Sequence, residues 1–307
     1  MRRWIAPLAA ALLAPALTIT APTAAQAAPV DPVKALRQRL ASGDGVHVTE
    51  TGHAPLKDGT LIAHRTGALR LSPSGVAALD VVRRDTARST SGIGTQLRVE
   101  RVITVGGRNY TSSPRFADRL PQGREWVTDT RGNTRWEVLL GDQALNALEP
   151  STLALLLRTA KHRLPNGDGV QYRGTVTLAR LYDASPSFRE RRGHIPLGGT
   201  GKLSVRWRLW LDTRGLPARL VTEDPHGDDD IRYTGWGSRI AVVAPPADQV
   251  VDARDLGSGA AIERAPRSSA ESARSGLAPS EESPQAPEVP EVPAERREAT
   301  VGTSGRG

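Results

Sequence analysis

The stretch KLSVRWRLWLDTRGLPARL, residues 202–220, constrains the fold more than any other. Leu203, Val205, Trp207, Leu209 and Leu211 alternate with Ser204, Arg206, Arg208, Trp210 and Asp212. A period of two puts the first set on one face of a β-strand and the second set on the other. Asp212-Thr213-Arg214-Gly215 supplies turn chemistry, and a second strand follows. A two-stranded ribbon with one apolar face is marginal in water, so it requires more strands and a cover for that face.

Strand patterns recur on both sides of the hairpin. GVHVTETGHA and GALRLSPSGVAALDVVRRD read as strands, the latter turning at Ser72-Pro73-Ser74-Gly75. TQLRVERVITVGGRNYTS puts Leu97, Val99, Arg101, Ile103 and Val105 on one face, with Gly106-Gly107 as its hairpin turn. REWVTDT continues the sheet, VQYRGTVTLARLYD adds another strand, and ASPSFRERRGHIPLGGTG reads as a loop. Helical signals are fewer. Asp31 caps VDPVKALRQRLAS, where Val33, Leu36 and Leu40 line one face. A second helical stretch runs through GDQALNALEP, capped at Asp142, and PSTLALLLRTAK, with Leu153, Leu156, Leu157 and Ala160 on a stripe. About ten antiparallel strands with helices gathered on one face define an α+β fold.

The ends differ from this middle. Met1-Arg2-Arg3, an apolar run to about Ile19 and Ala25-Gln26-Ala27 form a secretory signal, with cleavage expected after Ala27. From residue 253 onward the chain is rich in Ala, Ser, Pro, Glu and Arg, a composition that cannot offset its ordering entropy. The expected organisation is therefore a signal peptide at 1–27, a domain at 28–252 and a disordered tail at 253–307. The chain has no cysteine, which excludes disulfides, thiolate metal sites, a Cys nucleophile and an N-terminal lipid anchor on Cys.

The net charge is +8, yet only four of the 41 basic residues are Lys. The Arg residues are scattered and accompany no nucleic-acid motif, so nucleic acid is not expected as a partner. An anionic membrane surface would suit such a charge.

No catalytic constellation stands out. The six His residues match no metal spacing, and His53 and His64 make a poor pair. G-x-S-x-G, S-x-x-K and a P-loop are missing. EDPHGDDDIRY concentrates carboxylates without the spacing of a calcium loop, and reads as a solvated turn. A secreted hydrolase would need converging acid, base or nucleophile residues that the sequence does not offer. The expectation is a protein that is not an enzyme, with no cofactor and no metal.

The order of segments resembles the LolA-like lipoprotein-carrier superfamily, in particular its lipoprotein branch in high-GC Gram-positive (actinobacterial) organisms. The resemblance spans 31–252. It rests on ITVGGRNYTSS, REWVTDT, LEPSTLALLLRTA, YRGTVTL, the late hairpin WRLWLDTRGLPARLVTED and the closing IRYTGWGSRIAVVAPPADQVVD with Ala244-Pro245-Pro246. It implies a strongly curved antiparallel half-barrel covered by a few helices, with an apolar cavity between sheet and helices that holds acyl chains in several members.

On that resemblance, the cavity wall is expected from Leu97, Val99 and Ile103, from Val176 and Leu178, and from Leu203, Val205, Trp207, Leu209 and Leu211. Leu153, Leu156 and Leu157 of the covering helix face them. The implied function is a secreted, monomeric carrier for lipid or acylated molecules. The alternative of the same fold is an envelope-stress sensor or protein-interaction module whose core is filled by side chains such as Trp207. Two features depart from the family: the missing lipidated Cys, which implies a freely secreted form, and the tail.

Overall fold

The computed structural model describes residues 30–92, 94–129, 143–167, 169–192 and 197–256. The expected signal peptide, Asp142 as a helix cap and the tail beyond 256 lie outside the described residues.

The chain opens with α1 (Pro32–Ser42). The Asp31 carboxylate accepts from the N–H groups of Val33 (2.9 Å) and Lys34 (3.2 Å), and Pro32 fills the first helical position. Gly43, in the left-handed region at φ 72°, ends the helix. Leu36 and Leu40 are buried, as the three–four spacing predicts.

Six strands follow: β1 (Gly45–Leu56), β2 (Gly59–Ser72), β3 (Gly75–Ser89), β4 (Gly94–Val105), β5 (Arg108–Ser112) and β6 (Trp126–Asp129). Then come α2 (Pro150–Thr159), β7 (Ala160–Asn166) and β8 (Gly169–Thr177). Next are α3 (Leu178–Ala184), α4 (Pro186–Arg191), β9 (Ser204–Leu211), β10 (Pro217–Asp224), β11 (Gly227–Ser238) and β12 (Val250–Asp252). All twelve join one sheet in the order β12-β6-β5-β4-β3-β2-β1-β11-β10-β9-β8-β7. Every pairing is antiparallel except β12 with β6.

The sheet has to curl. One continuous apolar cluster links Val102 on β4, Leu79 and Val81 on β3, and Val176 on β8 with Leu36 of α1, Leu153 and Leu156 of α2, and Leu181 of α3. β4 and β8 are the ends of a run of eight strands, which would span about 34 Å if flat at a spacing of about 4.8 Å. Short helices about 10 Å across reach both ends only if the sheet wraps around them. The result is the α+β half-barrel expected from the LolA-like resemblance, open because β12 and β7 do not pair.

Several local readings change. Residues 143–149 are not helical, and α2 starts at Pro150. The segment before it is held by side chains instead: Thr222 Oγ1 donates to Gln143 Oε1 (2.8 Å), and Leu148 N–H donates to Asn146 Oδ1 (3.1 Å). The second half of the stretch expected as a strand, LARLYD, forms α3 instead, and the stretch expected as a loop after it contains α4; each helix is started by a side-chain cap, Thr177 and Ser185. The chain stays packed past residue 252, because Ala253 is buried against Phe116 and Val127.

Glu149 clasps two helices. At the N-cap of α2 its carboxylate accepts from Thr152 Oγ1 (2.5 Å), Ser185 Oγ, Ser187 Oγ (3.2 Å) and the Ser187 N–H (3.1 Å). Thr152, Ser185 and Ser187 are fully buried. Glu149→Ala would orphan these donors, and each hydrogen bond to a charged group is worth roughly 1.5–3 kcal/mol. Urea unfolding should show a loss of about 2 kcal/mol or more for this variant, with a smaller loss for Glu149→Gln, which keeps one carbonyl acceptor.

Candidate functional site

The concave wall was the expected site, and β9 builds its centre. Val205, Trp207, Leu209 and Leu211 are buried on the helix side, while Ser204, Arg206 and Arg208 face outward. Val176 of β8 is buried beside Val205, and Leu153 and Leu156 of α2 lie in the same cluster. Leu157 and Leu178 pack against its edge. Nine of the expected residues thus come together.

Four do not. Leu97 is 55% exposed, and Val99 is only half-buried beside it on the outer face of β4. Ile103 is buried, but on that same outer face, in a second cluster with Tyr110, Trp126, Val242 and Val250. The cause is register. Val102 pairs with Val81 on the concave side, which turns Ile103 toward solvent, where the segment after β11 covers it. Leu203 is 42% exposed, because β9 begins one residue later. Its N–H instead closes a turn onto Thr200 O (3.0 Å).

Among the described residues, the side chains at the centre of the wall are themselves buried against the helices. Trp207 is 2% exposed, and Leu153, Leu156 and Leu209 have no exposure at all. Gly174 of β8, directly across from Trp207, makes this packing possible: a Cβ there would sit 2.5 Å from the indole and 2.6 Å from the Thr159 carbonyl oxygen. A void beside Gln143, Leu145, Ile231 and Tyr233 measures about 10 Å³. That is room for one water at most. The Gln143 Nε2 and Trp207 Nε1 donors are buried and have no hydrogen-bond partner among the described residues.

Toward one end the concave face turns polar. Arg65 donates to Glu50 across β1 and β2, both buried, and Asp85 accepts from Arg83 (2.7 Å) with Arg98 at 3.7 Å. Neighbouring Tyr233 is buried. Burial pushes its hydroxyl well above the ordinary 10.0; the Glu50 charge adds to this and the Arg65 charge opposes it.

The outer face carries long polar side chains in pairs: Arg101 with Asp80, Arg219 with Asp230, and His53 Nδ1 at 3.0 Å from Asp228. Trp210 lies under the Arg219 guanidinium at 4.8 Å, so its stacking partner is Arg219 rather than a strand-mate. His53 and His64 do not pair: His64 contacts Thr51 at 3.3 Å. No group of three or more His, Asp or Glu that could hold a metal occurs among the described residues. The acidic stretch forms the β10–β11 hairpin, where its carboxylates meet His53 and Arg219.

No protein-family model matches the chain, and no curated protein does. Solved structures are similar. One is LprF from Mycobacterium bovis, with 14% identity, a TM-score of 0.40, and coverage of 70% of this chain and 96% of that one. Another is the lipoprotein LppX of Mycobacterium tuberculosis, with 11% identity, a TM-score of 0.36, and coverage of 69% and 98% respectively.

Two outcomes follow from this geometry. Trp207→Ala removes the largest side chain of the packed groove and should cost about 3–5 kcal/mol in denaturant unfolding. Tyr233 has a raised value in the folded state, so its contribution is complete below pH 10 and is lost as the pH rises further, where the unfolded chain ionises first. A Tyr233→Phe variant should flatten that alkaline loss of stability.

Proposed function

We propose that this chain is an extracytoplasmic binding module of LolA-like architecture that works without catalysis and recognises its partner on its surface. The observation that carries this reading is the packed concave face. The groove in which a carrier would hold an acyl chain is filled by Trp207 against Gly174 and by Leu209 against α2. Small-molecule sites usually offer about 300 Å³ or more, whereas the void beside Gln143 and Tyr233 on this face measures about 10 Å³. The basic leader and small-x-small cleavage pattern support export, and the lack of cysteine supports a form without a lipid anchor.

A carrier of lipid or acylated molecules is the second reading. One observation favours it: two buried donors, Gln143 Nε2 and Trp207 Nε1, face the concave side unsatisfied among the described residues. A bound polar group would relieve that cost. Burying an acyl chain would add about 0.8 kcal/mol per CH₂, provided the helices lift to admit it.

Native mass spectrometry of the mature protein, secreted by its own host and followed by organic extraction, separates the two. The surface module should appear at its bare mass and yield no stoichiometric lipid. An acyl species at a one-to-one ratio would overturn that reading and establish the carrier.

A further inference from the structure

The outer face of β7–β9 carries a row of cations short of carboxylates. By contrast, Arg219, Arg101, Arg214 and Arg254 each meet an aspartate at 2.6 or 2.7 Å. On β7–β9 the cations outnumber their partners. Lys161, Arg173, Arg206 and Arg208 line one hollow together with the His162 imidazole and a single carboxylate, Glu223. Glu223 is shared between Arg206 (3.0 Å) and Arg208 (2.9 Å). Arg173 Nε donates to the neutral Gln171 amide (2.8 Å), and no described carboxylate lies within 4 Å of Arg173 or Lys161.

The register makes this arrangement costly. Arg173 lies directly across from Arg208 on β9. Like charges in facing cross-strand positions destabilise a sheet. Nothing in the packing requires them, since both side chains are exposed. Between the long cations the sheet surface is low: Gly174, Thr175 and Val221 form the floor of a hollow of about 370 Å³. That is the size of a small-ligand site. It combines an apolar floor, guanidiniums suited to paired hydrogen bonds with phosphate, and an ammonium at the rim.

We infer that this hollow binds a phosphate ester, with Arg173 and Arg208 as its principal ligands and Lys161 at the mouth. The inference rests on the surface-recognition reading above and names the chemistry recognised there. The anion neutralises a repulsive row that the lining itself balances only with Glu223. The phosphate ester comes from a soluble metabolite or from the headgroup of an anionic phospholipid, and both present the same group to the arginines.

The test uses the full mature chain, Arg173→Gln/Arg208→Gln, and a control of equal net charge, Arg70→Gln/Arg180→Gln, which changes two exposed arginines outside the hollow. Melting temperatures of the ligand-free proteins establish that all three fold. Glycerol 1-phosphate binding by calorimetry probes the soluble source. Co-sedimentation with phosphatidylglycerol–phosphatidylcholine vesicles, against phosphatidylcholine alone, probes the headgroup. The expected result is saturable binding in at least one arm that weakens with salt. It should fall by about tenfold or more in the hollow variant and stay near wild type in the control. Binding in the first arm identifies a soluble ester; binding in the second alone identifies a headgroup. No binding in either arm, or an equal loss in both variants, overturns the site. A one-to-one acyl species extracted equally from wild type and Arg173→Gln/Arg208→Gln would overturn the surface-module reading instead, and leaves these binding arms to judge the hollow separately.

Discussion

The indole of Trp207 lying over Gly174 is the contact on which the rest of the half-barrel depends. A curved sheet leaves a trough between its wings, and something has to occupy it. Here the sequence puts its largest side chain at the centre of β9 and removes the side chain opposite it on β8. Leu209 continues the filling toward Tyr172, and α2 lowers Leu153 and Leu156 onto both. Interiors packed to crystal-like density leave few voids larger than a water molecule. With a smaller residue at 207 the helices would cover a hollow; with a larger one at 174 the indole could not lie flat.

The cover is fixed as much by polar clasps as by apolar contact. Glu149 joins the starts of α2 and α4, and Gln143 ties the irregular segment ahead of α2 to Thr222 on β10. Each clasp satisfies backbone or hydroxyl donors that burial would otherwise strand. Such bonds are directional, so they set where the helices sit, whereas the apolar cluster alone would tolerate sliding. The orphaned Gln143 Nε2 beside the small void is the exception within this arrangement.

Where the sequence was legible, one face was purely apolar and the other purely polar. Val205, Trp207 and Leu209 separated by Arg206 and Arg208 admit one orientation, and α1 announces itself through Asp31, Pro32 and Gly43. In β4, Val102 and Ile103 are adjacent and both apolar, so the alternation fits either orientation. Only pairing with β3 decides, and it selects Val102 for the concave side. The second apolar cluster, around Ile103 and Trp126, explains why both faces of that strand are apolar. β7 was missed because Lys161, His162 and Arg163 have no apolar alternation to show, and the strand exists as an edge paired only to β8. α3 and α4 were missed because they are only about two turns long, too short to display a period. Their Thr177 and Ser185 caps were the available signal.

The filled trough and the cationic outer hollow are two consequences of one register. With Trp207 across from Gly174, Arg208 has to lie across from Arg173, because neighbouring residues on paired strands share the pairing. A slip by one residue would put the arginines against Leu153 and Leu156 and the indole in water, which fixes the alignment strongly. Facing like charges cost about 0.2–1 kcal/mol per pair. Burial of Trp207 and Leu209 on the reverse side contributes about 1.5–3 kcal/mol or more for each large side chain. The inner packing therefore exceeds the outer repulsion several-fold and holds the guanidiniums in a row they would not adopt by themselves. A sheet whose concave face held a mobile ligand would lose that margin, and with it the preorganisation of the outer cations.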